Sequence, residues 1–285
     1  PALVDLDSDG VAEVVSTDNL ELAAWSPRGS MPGFPSPDSW VDRQRSRFAV
    51  SAGDFDADGR PEILVPARRI DFAVTFRLNL YDHRGRLLRT LGTSDNELWE
   101  TALADLDGDG VPEIIAGLRN RLIAWRGDGT EVPGWPVFFD ANRNGMEPIA
   151  GGNIAVGDIS GDGLPDIVTT GRTSSAFSAR AAIFAFNRDG TPLPRFPKTL
   201  PGDATGASVM IEDIDRDGRN DLIVLAKNGF GTREAVFVFD LRGAGPYGPV
   251  EWGQYQGNSA RHATYVLGQT LRTQSFLNVQ VHGSG

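Results

Sequence analysis

The sequence predicts an all-β fold assembled from repeated units of about four short strands. Three observations carry that prediction: a repeat of about 50 residues, dense glycine and proline punctuation, and apolar runs no longer than a strand. The chain has 285 residues, of which 34 are Gly and 18 are Pro, well above average usage and without a collagen period. With 40% hydrophobic residues it can bury a sizeable core, as one large domain or two ordinary ones. The longest apolar runs, such as the one ending Leu222-Ile-Val-Leu-Ala226, fall far short of the ~18 apolar residues a membrane-spanning helix needs. Membrane insertion through helices is therefore excluded.

The repeat is explicit. Five segments align without gaps: Asp5-LDSDGVAEVV-Ser16, Asp54-FDADGRPEILV-Pro66, Asp105-LDGDGVPEIIA-Gly117, Asp158-ISGDGLPDIVT-Thr170 and Asp213-IDRDGRNDLIV-Leu225. Their first aspartates are 49, 51, 53 and 55 residues apart. Each is followed by an aromatic residue and, four positions later, a glycine: Trp25 and Gly29, Tyr81 and Gly85, Trp125 and Gly129, Phe186 and Gly190, Phe239 and Gly243. Within a unit, a short β-rich run precedes the acidic loop and a Val/Ile/Leu run follows it. A third run carries the aromatic, as in Arg121-Leu-Ile-Ala-Trp125. A Pro-aromatic-Pro segment comes next (Pro32–Pro35, Pro133–Pro136, Pro194–Pro197), and its prolines belong at an edge strand or its connection. Four short strands per ~50 residues describe a propeller blade. On that reading the aromatics are packing between blades.

Each acidic loop has the form D-x-[DS]-x-D-G-x-x-[DE]. Curling such a loop brings side-chain oxygens from positions 1, 3 and 5, a backbone carbonyl from position 7 and a carboxylate from position 9 around one point. Glycine at position 6 (Gly10, Gly59, Gly110, Gly163, Gly218) allows the sharp turn. The predicted ligands are Asp5, Asp7, Asp9, Val11 and Glu13 in the first loop, and Asp54, Asp56, Asp58, Arg60 and Glu62 in the second. They continue with Asp105, Asp107, Asp109, Val111 and Glu113, then Asp158, Ser160, Asp162, Leu164 and Asp166, then Asp213, Asp215, Asp217, Arg219 and Asp221. An all-oxygen cage suits Ca²⁺, and softer metals find no ligands here. An EF-hand would need Glu at position 12 and flanking helices; position 12 is Ser16, Val65, Ala116, Thr169 or Val224, and the flanks read as strands. The fourth loop, with Ser160 at position 3, is expected to bind most weakly.

Charge agrees with a cation-loaded protein. Lys and Arg total 27 against 38 Asp and Glu, a balance of −11. The loops hold half of all the carboxylates, and four clustered carboxylates repel strongly without a cation. About five Ca²⁺ ions would bring the chain close to neutrality. So acidic a chain does not attract nucleic acid or anionic membrane through its overall field. Sites of this open kind typically bind Ca²⁺ at ~10⁻⁴–10⁻³ M, which favours an extracellular setting, secreted or on the cell surface. The absence of cysteine excludes disulfides and thiolate metal sites without fixing the compartment. The chain opens at Pro1 without an initiator Met, and the expectation is a processed product or a fragment.

These loops, each followed by an Ile/Val run, resemble the FG-GAP/VCBS repeat family, which includes the propeller of integrin α-chains and many bacterial secreted and surface proteins. The resemblance covers about residues 1–250. The aromatic-x-x-x-Gly elements, the P-G-[FW]-P elements and the segment Glu251–Arg261 look like the bacterial branch. It implies a propeller holding Ca²⁺ on one face through the loops between first and second strands, with ligands usually taken on the opposite face. Integrin-type propellers have seven blades, whereas five repeats are visible here, and the first begins only four residues before Asp5. A five-bladed ring, missing neighbouring sequence, or completion of another blade by residues 262–285 all remain open. That tail, within a closing region of residues 251–285, contains Thr264-Tyr-Val-Leu267 and Phe276-Leu-Asn-Val-Gln-Val281, enough for two strands.

Repeats two, four and five carry extra residues between second and third strands, expected as loops on the face opposite the cation. Arg68, Arg69, Phe72, Phe177, Phe230 and Arg233 are the candidate surface there for a protein or glycan ligand. No G-x-S-x-G elbow, H-E-x-x-H pair or P-loop occurs, and His83, His262 and His282 sit in no recognisable catalytic setting. The expected function is a non-catalytic, calcium-binding extracellular module for adhesion, assembly or ligand recognition, alone or as part of a larger chain or surface assembly. An accessory propeller of a secreted hydrolase or polysaccharide lyase, and a sugar-binding lectin, are the alternatives.

Overall fold

Each repeat folds as an antiparallel meander because its strands are short, apolar and separated by turns too tight for a crossover. The structure is a computed structural model and describes residues 1–17, 21–36, 50–70, 74–94, 98–118, 121–139, 146–148, 153–173, 180–200, 207–227, 234–241, 248 and 250–253. Among the described residues there are 21 strands and no helix.

Sheet one contains β1 (Ala2–Val4), β2 (Glu13–Thr17), β3 (Leu22–Ser26) and β4 (Gly29–Ser30). Sheet two contains β5 (Ser51–Gly53), β6 (Glu62–Ile70), β7 (Val74–Tyr81) and β8 (Leu87–Ser94). Sheet three contains β9 (Leu98–Ala104), β10 (Glu113–Leu118), β11 (Arg121–Trp125) and β12 (Val137–Phe138). Sheet four is larger: β13 (Met146–Pro148), β14 (Ile154–Gly157), β15 (Asp166–Thr173), β16 (Arg180–Phe186) and β17 (Lys198–Thr199), joined by β21 (Val250–Trp252). Sheet five has β18 (Ala207–Glu212), β19 (Asp221–Lys227) and β20 (Glu234–Phe239). The first strands of successive sheets lie side by side in chain order. The protein is a β-propeller, as the repeat predicts.

The sheets stack through a recurring cross-strand row. In sheet three, Leu103 faces Ile114 and Ile114 faces Trp125, and the Trp125 ring lies against Gly92 of sheet two. The equivalent rows are Ala52–Ile63–Tyr81, Val156–Ile167–Phe186 and Ile211–Leu222–Phe239, each packed on the preceding sheet. Alternate residues pack on the following sheet, as Ala155, Val168 and Ala185 do against sheet five. Both faces of a middle strand are thus covered, and β10 is buried throughout. This explains why such strands read as unbroken apolar runs rather than alternating ones.

The Pro-aromatic-Pro segments clamp neighbouring sheets. A Cβ on Gly33 would run into the Arg84 carbonyl, and one on Gly134 into the Asp189 carbonyl. Both glycines sit at φ near 90°, a second reason a side chain is refused. Ser36 adds a hydrogen bond from its hydroxyl to the Gly85 carbonyl at 2.6 Å, and Trp135 Nε1 donates to the Arg188 carbonyl at 2.9 Å.

Two expectations need correcting. The extra residues of repeats two and four are not simply loops: they lengthen the hairpins β6–β7 and β15–β16, with Ile70 paired to Val74 and Thr173 to Arg180. Their β-branched and aromatic content continues the ladder. The aromatics also do not all pack between sheets: Trp25 is exposed, whereas Tyr81, Trp125 and Phe186 are buried and Phe239 is half-buried against sheet four. The terminal stretch with its two candidate strands lies outside the described residues, and β21 straddles the boundary expected at residue 250.

Ile114 is fully buried between sheets two and three. Ile114→Ala is therefore expected to cost about 2–5 kcal/mol in urea unfolding, whereas Leu88→Ala, at an exposed site, stays within ~0.5 kcal/mol.

Candidate metal centres in the acidic loops

All five loops join the first and second strands of their sheets and wind around their own carboxylates. In the first, Asp5 Oδ1 accepts the Asp9 N–H at 3.1 Å and Asp5 Oδ2 accepts the Gly10 N–H at 2.9 Å. Asp7 Oδ1 accepts the Asp9 N–H at 3.3 Å, and Asp9 Oδ1 accepts the Val11 N–H at 2.8 Å. The same pattern recurs in the second and fifth loops through Asp54, Asp56 and Asp58, and through Asp213, Asp215 and Asp217. In the third and fourth the first aspartate instead takes the N–H of Gly108 or Gly161, both at 2.7 Å. Val11, Arg60, Val111, Leu164 and Arg219 thus each sit at position 7 with their N–H held by the position-5 carboxylate.

The winding requires left-handed backbone at two positions rather than one. Position 6 is the expected glycine. Position 4 is also left-handed in every loop: Ser8, Ala57, Gly108, Gly161 and Arg216, with φ between 60° and 81°. Sequence reasoning overlooked this position, although glycine stands there in two of the five loops. The three non-glycine residues accept a strained conformation that the surrounding hydrogen bonds hold in place.

Position 9 opens the second strand and is buried in all five repeats. Its carboxylate accepts the N–H of position 2: Glu13 from Leu6 at 2.8 Å, Glu62 from Phe55 at 2.9 Å, Glu113 from Leu106 at 2.7 Å, Asp166 from Ile159 at 2.9 Å and Asp221 from Ile214 at 3.2 Å. Burial raises the pKa of each, against the lowering effect of that N–H, and neighbouring aspartates raise it further. Glu62 is pushed up to about 8, Glu113 to about 7 and Asp166 to about 6, and Glu13 and Asp221 are also raised. A buried acid resisting ionisation beside three more acids is a site short of positive charge.

Carboxylate oxygens converge within 4.8 Å of one another in four groups among the described residues. These are Asp5, Asp7 and Glu13; Asp54, Asp56 and Asp58; Asp105, Asp107 and Glu113; and Asp213, Asp215 and Asp221. Each could hold a metal ion, and the hard oxygen donors fit a divalent cation.

The fourth loop departs from the expected set of five. Serine at position 3 removes one carboxylate, and Asp158 is fully buried with both oxygens engaged. Its Oδ1 accepts from Gly161, and its Oδ2 from Gly163 at 2.8 Å and Gly248 at 2.6 Å. Asn220 closes the other side, donating to the carbonyls of Asp158 and Gly248. The Gly248 N–H is the donor that the other loops lack, and it takes up an oxygen that a cation would need.

The third loop has a cation of its own. Arg126 Nη2 donates to Asp107 Oδ2 at 2.6 Å, and Arg126 Nε lies 3.9 Å from Glu113 Oε1. The hydrogen bond to Arg126 is the main cause of the lowered Asp107 pKa. Glu251 of β21 reaches the same loop, its carboxylate accepting the Asp105 N–H at 2.7 Å. Between sheets two and three an open groove of about 280 Å³ runs from Asp56 and Glu62 past Phe55 and Leu80 to Arg126 and Glu113. His83 lies 3.1 Å from Arg60, half-buried beside the second loop.

Of the ligand-surface candidates, Arg68 and Arg69 lie on β6 opposite Phe76 and Thr75, at the hairpin end remote from Glu62. Phe72, Phe177, Phe230 and Arg233 lie outside the described residues.

Residues 5–65 and 105–169 match the FG-GAP-like repeat family. Those two stretches carry FG-GAP-like repeats. No curated protein is significantly similar to the chain in sequence. Among solved structures, the chain is similar to the biofilm matrix protein Bap1 of V. cholerae: 18% identity, TM-score 0.54, 91% of this chain and 39% of that one covered. It thus spans about two fifths of the length of Bap1. A six-bladed β-propeller lectin from Aleuria aurantia follows at 12% identity and TM-score 0.41, covering 87% and 75% of the two chains. An endo-arabinase from Bacteroides thetaiotaomicron has 14% identity and TM-score 0.40, covering 86% and 95%. At such identities the likeness to Bap1 is one of fold, and the latter two are too distant to carry an argument.

Glu62 sets a pH dependence for the metal-free protein. Its folded pKa lies above the unfolded value of 4.5, so the fold favours its neutral form. That contribution is full below pH 4.5 and is lost as pH rises toward about 8. Chelator-treated protein is expected to melt at a lower temperature at pH 8 than at pH 6. Adding a divalent cation near pH 7 should raise the midpoint and release protons, measured as buffer-dependent heat in calorimetry.

Proposed function

We propose that this chain is a non-catalytic, calcium-stabilised extracellular β-propeller module for adhesion, assembly or ligand recognition. The convergence of carboxylates in four of the five loops carries the reading, each loop being anchored by a buried acid at its base. Calcium is the cation because the donors are all hard oxygens, and because short loops supply them with the loose geometry that Ca²⁺ accepts and Mg²⁺ does not. The residues that would hold it are the carboxylates of positions 1, 3, 5 and 9, with the carbonyl of position 7. The ion would supply fixed positive charge, with no part in bond making.

Location follows from affinity. Taking ~10⁻⁴ M as the dissociation constant and millimolar Ca²⁺, each ion stabilises the fold by about 1.4 kcal/mol. Four such ions give roughly 5–6 kcal/mol, a large share of a domain's usual ~5–15 kcal/mol. Submicromolar Ca²⁺ would forfeit nearly all of it, which supports an extracellular setting. The binding partner we propose is a protein or glycan on the face opposite the loops, where the β6–β7 hairpin extends with Arg68 and Arg69. The repeats consist of sheet and turn with no recognisable catalytic motif, which supports a binding rather than a chemical role.

Transfer from 1 mM CaCl₂ to EGTA is expected to lower the melting midpoint by at least about 10 °C, with Ca²⁺ but not Mg²⁺ restoring it. Asp54→Asn and Asp213→Asn should each weaken this response, while Asp162→Asn in the fourth loop leaves it nearly intact. A midpoint indifferent to EGTA, together with protein free of alkaline-earth metal by elemental analysis, ends the calcium reading.

A further inference from the structure

Among the described residues, only the third loop has a guanidinium hydrogen-bonded to its carboxylates. The residue after the third-strand aromatic is Ser26, Asp82, Arg126, Asn187 or Asp240 in the five repeats. Ser26, Asp82 and Asn187 hydrogen-bond within their own turns. Arg126 reaches elsewhere. Trp125 pairs with Ile114, which sets the next residue across from Glu113. From there Arg126 Nη2 donates to Asp107 Oδ2, and Nε approaches Glu113 Oε1. The aspartate at position 3 has two oxygens to offer. In loops one, two, three and five its Oδ1 accepts the N–H of position 5. Its Oδ2 makes no hydrogen bond or ion pair in Asp7, Asp56 and Asp215, whereas in Asp107 it is taken by Arg126. The oxygens of Asp105, Asp107 and Glu113 still converge as those of the other loops do. The third loop therefore has the ligands of a metal site with one of them already in use.

We propose that Arg126 is a tethered competitor for the cation of the third loop, an inference that rests on the calcium reading above. The guanidinium and a divalent ion compete for the same Asp107 oxygen, and two positive charges within hydrogen-bond reach of one carboxylate repel each other. Binding at this loop therefore requires Arg126 to give up Asp107. A charge-assisted hydrogen bond is the stronger kind, which sets a cost. The cost stays moderate because both partners are partly exposed to water. Asp128, exposed two residues along the chain and bordering the same groove, is an acid at hand for the released guanidinium. Together these put the penalty at about ten-fold in affinity. The consequence is a graded response, in which the third loop fills at higher Ca²⁺ than it would without its arginine. Before it fills, Arg126 partly neutralises Asp107 and Glu113 and holds the loop to the end of β11.

Each loop can be read separately, because its position-6 glycine donates its N–H to the first aspartate of that loop. Calcium is titrated into the chelator-treated full chain at about physiological ionic strength, and the amide NMR midpoints of Gly10, Gly59, Gly110 and Gly218 are followed. Glu251 also borders the third loop, so the deciding quantity is the change at Gly110 when Arg126 is replaced. In Arg126→Gln the Gly110 midpoint is expected to fall about ten-fold, with the other three staying within about two-fold of the unsubstituted chain. Arg126→Lys, which keeps a charge without the planar fork, should fall less. Arg89→Gln is the control: Arg89 lines the same groove but donates to the Asp128 carbonyl rather than to a loop carboxylate, and its removal should leave Gly110 unmoved. A Gly110 midpoint that stays or rises in Arg126→Gln would show the arginine supporting the site, and an equal fall in Arg89→Gln would show a general effect of charge; either overturns the proposal. If none of the four glycines responds in the unsubstituted chain, the calcium reading itself fails and takes the proposal with it.

Discussion

The constraint on which the architecture rests is the buried carboxylate at the ninth position of each acidic loop. It occupies the first residue of the second strand, where the core begins, and its oxygen holds the N–H of position 2. Position 2 in turn drives an apolar side chain into the seam with the next sheet: Leu6, Phe55, Leu106 and Ile159 are all buried. One acid therefore couples three things, namely the curl of the loop, the start of the strand and the contact between neighbouring sheets. The coupling has a cost, because burial and the aspartates beside it oppose its ionisation. A cation bound there would offset that cost, so the same arrangement that makes a loop fit for a metal is the one that would gain most from binding it.

Stacking is the second constraint. The sheets are short, and a single four-stranded meander cannot bury both of its apolar faces alone. Tyr81, Trp125 and Phe186 serve a similar purpose in successive seams, each ending a row that lies on the sheet before it. The seams are then locked by backbone contact, with Gly33 against the Arg84 carbonyl and Gly134 against that of Asp189. Where the third such segment has Arg195 in place of glycine, the residue keeps a φ of 70° and is exposed. The backbone turn persists there while the demand for a missing Cβ does not.

Much of this was legible in the sequence because it is local and repeated. The loop pattern, the third-strand aromatic and the Pro-aromatic-Pro connection each fall within about a dozen residues and recur at a fixed period, so five copies average out the accidents of any one. What the sequence did not disclose depends on residues far apart. Nothing near Asp158 announces that Gly248 will donate to it, and nothing near Asp107 announces Arg126 as its partner. The lengthened hairpins read as loops because Arg68 and Arg69 break the apolar pattern, yet the ladder between β6 and β7 runs on through them to Ile70. Backbone pairing needs no apolar side chain once the register is set. The left-handed residue at position 4 was hidden for a different reason: Ser8, Ala57 and Arg216 are not residue types that advertise that conformation.

The fourth repeat shows the two kinds of support substituting for one another. Its loop has lost a carboxylate to Ser160, and in the same repeat the chain returns from residue 248 to 253 to finish the job. Gly248 donates to Asp158, β21 pairs with β14, and Trp252 enters the core shared by sheets three and four. Glu251, between them, reaches across to the third loop. All five first aspartates accept two backbone N–H groups; among the described residues this one alone takes a further N–H, from Gly248, and it has one carboxylate fewer beside it. A proton donor held by the chain cannot be removed by a chelator. Loss of metal should therefore loosen the remaining loops while leaving sheet four, stitched to the closing strand, as the last part of the propeller to open.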